Sequence, residues 1–241
     1  MAYSTTKSAV FAGARDSIPF VFVAGPFGML FGVLAAEAGL KVIEAMTFSL
    51  SVFAGSAQFT ALQLMQEDAP TLIVLISALA VNLRIAMYSA SLTPYLGAAP
   101  LWQRAIAAYF LVDQSYVLSI AKFEDEPQLP LNQRLGYFFG TNLLIAPLWY
   151  GATLFGALIG TQVPNTWALD FILPIAFLGL SMPMLRTAAH RWAALVAVVV
   201  ALLASGLPYN LGLIVAGLAG MMTGAHMELR HERKRTQGES A

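Results

Sequence analysis

Apolar residues in this chain come in long runs, and the charged residues that separate them are confined to a few short stretches. Charges gather at Lys7–Asp16, Glu37–Glu44, Glu67–Asp68, Arg104, Lys122–Arg134, Arg186–Arg191 and from Glu228 onward. Between them lie eight runs, roughly 17–39, 45–65, 70–96, 102–121, 136–160, 167–185, 191–206 and 208–226. A helix crossing a bilayer needs about 20 predominantly apolar residues. The seventh run is short and could pair with the eighth as a tight hairpin of less than full span. The pattern predicts an all-α, polytopic integral membrane protein with seven or eight transmembrane helices.

Composition agrees and removes the alternatives. Of the 241 residues 58% are hydrophobic and 11% charged, against about 25% charged in a soluble domain. A soluble enzyme, a nucleic-acid binder and a disordered chain are all excluded. Thirteen basic and thirteen acidic residues cancel, so no net field favours nucleic acid. With no cysteine, disulfides, thiolate metal sites and cysteine nucleophiles are also excluded.

Residues 1–16 read as a short cytoplasmic segment, 17–226 as a transmembrane transporter domain and 227–241 as a basic cytoplasmic tail. The first apolar run lacks a clear small-residue cleavage site and is expected to stay as a span. With eight crossings and the N-terminus inside, ten of the thirteen basic residues fall on the cytoplasmic side, and only Lys41 and Arg104 fall outside. Seven crossings would put the tail "RHERKR" outside, against the positive-inside rule.

Helix-breaking residues interrupt several runs at mid-depth. They are Gly25, Pro26 and Gly28 in the first, Asn142, Pro147 and Gly151 in the fifth, Pro174, Gly179 and Pro183 in the sixth, and Gly206 to Gly212 between the last two. Backbone groups freed by a break are tolerated in lipid only where protein or a water-filled cavity satisfies them, and discontinuous helices often mark a transporter's binding site. Any one break alone reads as a packing kink, and the four together favour a cavity. There is also a faint internal echo between "PFVFVAGPFGMLFGVLA" (19–35) and "LLIAPLWYGATLFGALI" (143–159).

Two charges sit near mid-span, Arg84 in "AVNLRIAMY" and Asp113 in "LVDQSY". Each costs about 2.5–3.5 kcal/mol at a helix centre on insertion scales, so each is expected to face protein or water. They neutralise one another, or Arg84 caps broken-helix carbonyls, or they serve a site, and a structural and a functional role can coexist. "FAGSAQF" combines small Gly55, Ser56 and Ala57 with the amide of Gln58. It suits a close-packed interface or, with Asn82, Tyr88, Tyr116, Asn142 and Asn210, a polar path. Asp170 reads as an interfacial cap. His190, His226 and His231 lack paired metal spacing, and no phosphate loop, nucleophile elbow or H-E-x-x-H is present. No cofactor, metal or enzymatic reaction is expected.

"PFGMLFG", "SVFAGSAQF", "NLRIAMYSASLTPYL" and the acid in "LVDQSY" resemble the AzlC-like branched-chain amino acid permeases, over about residues 10–226. The resemblance implies a multi-pass protein of the bacterial inner membrane that exports valine-like amino acids with a small AzlD-like membrane subunit. Two positions depart from the family: Ile85 stands where a His is frequent, and Gln114 follows Asp113 where a Glu is frequent.

Depth and motif together give residue-level expectations. The substrate carboxylate is received by Arg84 or by a broken-helix N-terminus at Pro26–Gly28. Ser56, Gln58 and Asn82 hydrogen-bond the polar end. Phe53, Phe59 and neighbouring aliphatics accept a branched side chain, Gly55 allows close approach at the same binding site, and Asp113 carries a coupling proton or balances Arg84. The competing reading is a structural or assembly subunit of a membrane complex with no transport of its own.

Overall fold

The computed structural model describes residues 5–160, 185, 187–207 and 211–238. The run 167–185 falls almost wholly outside them, as do Pro208 and Asn210. The described residues are helical: α1 (Thr6–Asp16), α2 (Ile18–Glu37), α3 (Val42–Ser51), α4 (Gly55–Gln66), α5 (Thr71–Leu96), α6 (Leu101–Tyr109), α7 (Asp113–Asp125), α8 (Leu131–Gly160), α9 (Ala188–Leu203) and α10 (Leu211–Gly238). Helices α1 to α8 form one compact unit, α9 and α10 a second.

Three described helices, Ile18–Glu37, Thr71–Leu96 and Leu131–Gly160, are long and apolar enough to cross a membrane. α1 and α2 are almost one rod, joined at Ser17, whose φ of −83° is still right-handed and whose buried hydroxyl donates to the Ala14 carbonyl at 2.7 Å. That rod lies parallel to α8 along a seam of small residues. Gly13 meets the Tyr137 carbonyl, Gly32 that of Thr153, Gly140 that of Val10 and Gly156 that of Met29. A Cβ on Gly28 would stand 2.9 Å from the Trp149 oxygen and 3.2 Å from the Ala152 Cβ. Lipid leaves little hydrophobic drive between helices, so close backbone approach at small residues supplies much of the cohesion. Positions matched by the sequence echo face one another here, Gly28 beside Ala152 and Gly32 beside Gly156.

The direction of α5 corrects the span count. The carbonyl of Tyr95, at its C-terminal end, accepts from Arg134 Nη1 at 3.3 Å, and its ring lies 5.5 Å from Phe123. Phe123 in turn lies 6.3 Å from Tyr137, and Gly136 packs on Thr6. The end of α5, the end of α7, the start of α8 and the start of α1 therefore share one end of the bundle. α5 runs opposite to α2 and α8.

Two re-entrant hairpins follow from this. α3 leaves from the end where α2 stops, and α4 returns to that same end to start α5, turning at Asp68 with φ 53°. α6 and α7 dip in and return from the other end. The runs 45–65 and 102–121 are thus not spans. Each is two half-helices joined by extended backbone, at Val52–Ala54 and at Phe110–Val112. A hydropathy run records how much apolar chain there is, not which way it travels.

The expected breaks at Pro26 and Pro147 are also corrected, since α2 and α8 run unbroken through both residues. A proline removes one backbone donor, a loss membrane helices absorb through neighbouring groups. Re-entry moves Arg104 as well. It joins Lys7, Arg15, Lys122 and Arg134 at the end where α1 starts, leaving Lys41 at the opposite end. Within this unit the basic residues other than Arg84 then divide five to one, against four to two with eight crossings.

In the second unit α9 and α10 are antiparallel. Gly220 packs on Ala193 and Ala197, Gly212 on Ala204, and His190 Nε2 lies 3.8 Å from Glu228 Oε1. Thr187 caps α9 by accepting the His190 amide at 3.2 Å. α10 continues as helix beyond residue 227 to Gly238.

Candidate functional site

The hairpin tips meet at mid-depth. Phe53, in the first tip, is 5.9 Å from Phe110 in the second, 6.2 Å from Tyr109 and 5.4 Å from Tyr150 of α8. The Tyr109 hydroxyl donates to the Leu50 carbonyl at 2.6 Å and shares a 2.9 Å contact with the Tyr150 hydroxyl. At the second tip Ser115 Oγ accepts the Val112 amide at 3.0 Å and reaches the carbonyls of Phe110 and Val112 at 3.2 and 3.0 Å. Protein groups thus satisfy part of the irregular backbone, which is the condition for such backbone at membrane depth.

Arg84, on the crossing helix α5, links the two half-helix starts. Its Nη1 lies 3.1 Å from Asp113 Oδ2, and Nη2 donates to Ser56 Oγ. Asp113 is the first residue of α7 and Ser56 the second of α4. A carboxylate in the first turn of a helix is favoured by the macrodipole, so Asp113 is held by both the helix and the guanidinium. Tyr88 Oη donates to the other carboxylate oxygen at 3.0 Å. Its ring stacks on Tyr116 at 4.1 Å, and the Tyr116 hydroxyl lies 3.1 Å from Ser91 Oγ. The Arg84 and Asp113 side chains remain 36% and 35% exposed, so the pair borders open space and is not sealed in a core.

In the same unit, several buried polar groups have spare capacity. Gln58 is fully buried and neither amide atom has a hydrogen-bond partner; Asn82 Oδ1, Arg84 Nε and Asn142 Oδ1 are likewise unpartnered. An unsatisfied buried polar group costs about 1–3 kcal/mol, and in a native fold such groups call for a partner such as water or a ligand.

The expected residues separate into two groups. Phe53, Gly55, Ser56, Arg84 and Asp113 come together at the tips. Gly55 lies against the Trp149 ring, where a Cβ would be 2.8 Å from Cη2. Phe59 instead joins Phe27 and Phe31 at 6.1 and 5.7 Å, an aromatic wall between α4 and α2. Pro26 and Gly28 lie within α2. Continuous helix offers no N-terminus there, and Gly28 is spent on the seam with α8. Sequence reasoning missed Tyr109, Tyr150, Trp149 and Ser49, although Trp149 Nε1 donates to Ser49 Oγ at 3.0 Å and so pins the first hairpin to α8. A hydroxyl or indole N–H at mid-span was the available signal.

In the first unit, three membrane-length helices among the described residues and two oppositely entering hairpins, their half-helix starts joined by an ion pair, define a polytopic membrane protein with a polar centre. The chain belongs to the AzlC protein family, whose model matches residues 19–163, the stretch from α2 past the end of α8. It is 32% identical to an uncharacterized membrane protein of Archaeoglobus fulgidus, over 90% of this chain and 95% of that one. It is 25% identical to the inner membrane protein YgaZ of Escherichia coli, over 69% of each chain. It is 26% identical to the branched-chain amino acid transport protein AzlC of Bacillus subtilis, over 71% of this chain and 68% of that one. No solved structure matches.

Proposed function

We propose that the chain is an inner-membrane exporter of branched-chain and other hydrophobic amino acids such as valine, working with a small AzlD-like membrane subunit. The observation that carries the reading is the guanidinium of Arg84, held between Ser56 and Asp113 where the hairpin tips meet. A zwitterionic solute needs a cation or aligned amide donors for its carboxylate, an acceptor for its ammonium and an apolar wall for its side chain. Arg84 with the start of α4 supplies the first, Asp113 and the spare amides of Gln58 and Asn82 the second, and Phe53 the third.

Asp113 and the substrate carboxylate compete for one guanidinium. Substrate binding at Arg84 releases Asp113, which then takes a proton or pairs with the substrate ammonium. The basic end of the bundle faces the cytoplasm by the positive-inside rule, which puts the N-terminus there. Family membership and the name of the Bacillus relative support the substrate class.

The test is accumulation of labelled valine, leucine and methionine in cells lacking their own exporters. The chain alone, the chain with its small partner and Arg84→Gln with that partner are compared at matched membrane levels. Lower accumulation with the intact pair, restored to the empty-cell level by Arg84→Gln, is expected. Arg84→Gln exporting at the wild-type rate would end the carboxylate role. Equality of all three with empty cells would end the amino-acid reading in favour of an assembly subunit.

A further inference from the structure

A cleft opens at the basic end of the bundle, between α5, α6 and α8, and its floor is Leu111 in the break of the second hairpin. Leu92, Leu96 and Phe138 form its walls, and Arg104, Ser89 and Thr93 are its polar lining. Its volume of about 70 Å³ is room for roughly five to seven waters at 10–15 Å³ each, enough for a branched four-carbon side chain and too little for a lipid acyl chain. Arg104 forms no ion pair with any described residue. Lys122, at the same end, is already held by Glu126 at 2.9 Å.

We infer that this cleft is a second binding site for a solute bearing one carboxylate and a short aliphatic chain, with Arg104 receiving the carboxylate. The inference rests on the amino-acid reading above and adds a waiting position ahead of the Arg84 site. Two features support it. An unpaired cation over an apolar slot matches both halves of an aliphatic amino acid. The floor is also the element that closes the inner site. Leu111 is 5% exposed, and its neighbour Phe110 packs on Phe53 at 5.9 Å, so a solute resting on Leu111 is separated from the tip region by one layer of side chains. The site lies on the side from which an exporter loads.

The test is equilibrium binding of labelled leucine to the full chain in phosphatidylcholine nanodiscs. Wild type, Arg84→Gln, Arg104→Gln, Arg104→Lys and the cleft-filling Ala108→Leu are compared, with leucinol as the analogue lacking a carboxylate. Two leucines per wild-type chain are expected. One should remain in Arg84→Gln, and one in Arg104→Gln and Ala108→Leu, while Arg104→Lys keeps the cleft site weakened about tenfold, the size of one lost charge-assisted hydrogen bond. Leucinol should compete at neither site. Unchanged stoichiometry and affinity in both Arg104→Gln and Ala108→Leu overturns the inference while leaving the Arg84 site standing. Loss of the cleft site when phosphatidylglycerol is added at one or two lipids per chain assigns the cation to a lipid headgroup and also overturns it. Absence of leucine binding to the wild type, both alone and with the small partner subunit, defeats the underlying amino-acid reading itself.

Discussion

The ion pair between Arg84 and Asp113 sets a measurable coupling. At its 3.1 Å separation two unit charges attract by about 5 kcal/mol at an effective dielectric of 20 and by about 1 kcal/mol in bulk water. Both side chains are about one-third exposed, which places the pair between these limits and calls for a discount against the ~3–5 kcal/mol lost when a fully buried pair is broken. Arg84→Gln leaves Asp113 with only the Tyr88 hydroxyl and the start of α7. Asp113→Asn leaves Arg84 with Ser56. Each single change should destabilise by about 2 kcal/mol, and the double change Arg84→Gln/Asp113→Asn by less than their sum, giving a coupling of about 1–2 kcal/mol in a double-mutant cycle. The assay is reversible unfolding of the purified chain in mixed detergent micelles, followed by far-ultraviolet circular dichroism. A coupling below about 0.5 kcal/mol, the scatter of independent sites, would show that the charges do not sense one another and would remove the basis for competition between Asp113 and a substrate carboxylate.

The remaining expectations concern topology, packing and the loop charges. Because the chain lacks cysteine, single cysteines report sidedness cleanly: Ala98→Cys and Gln128→Cys should label from one side of the membrane and Ala38→Cys from the other, whereas a crossing at 102–121 would separate 98 from 128. Gly156→Leu drives a side chain into the Met29 carbonyl and should lower stability by about 1–3 kcal/mol, while Gly151→Ala, with nothing within 4 Å of the new Cβ, should change the melting temperature little or raise it. Trp149→Phe removes the indole donor to Ser49 and should cost about 1 kcal/mol, read as a lower unfolding midpoint. The hydrogen bond from Lys122 holds the Glu126 carboxyl below its ordinary pKa of 4.5. Its stabilising contribution is complete above that value and fades as pH falls through the lowered one, so Lys122→Met should narrow the difference in melting temperature between pH 7 and pH 3.

What could be read from the chain alone was the material and the depth, not the direction of travel. α2, α5, α8 and the α9–α10 pair fall close to their apolar runs, because length and hydropathy govern a full crossing. The hairpins were invisible because Val52–Ala54 and Phe110–Val112 contain neither Pro nor Gly, so nothing in residue type announces a reversal. What reverses the chain is tertiary: Tyr109 and Ser115 satisfy loop carbonyls, and Trp149 and Tyr150 hold the first tip. Prolines drew attention to the wrong places, since Pro26 and Pro147 sit in helices buttressed along a glycine seam. Arg84 and Asp113 were legible because a charge at mid-depth requires an explanation wherever it occurs. That they meet depended on α7 running parallel to the second half of α5, a fact of re-entry alone.

The glycine seam between the α1–α2 rod and α8 also dictates an order of assembly. During synthesis the first hairpin emerges long before the helix whose Trp149 and Tyr150 form its floor, and the rod lacks its main partner until α8 is in the bilayer. In that interval the apolar run 45–65 presents the length and hydropathy of an ordinary span. Correct topology is therefore expected to be a late event, fixed when α8 packs along the rod. A ribosome stalled before Leu131 should hold a chain whose orientation downstream of Glu37 is still undecided.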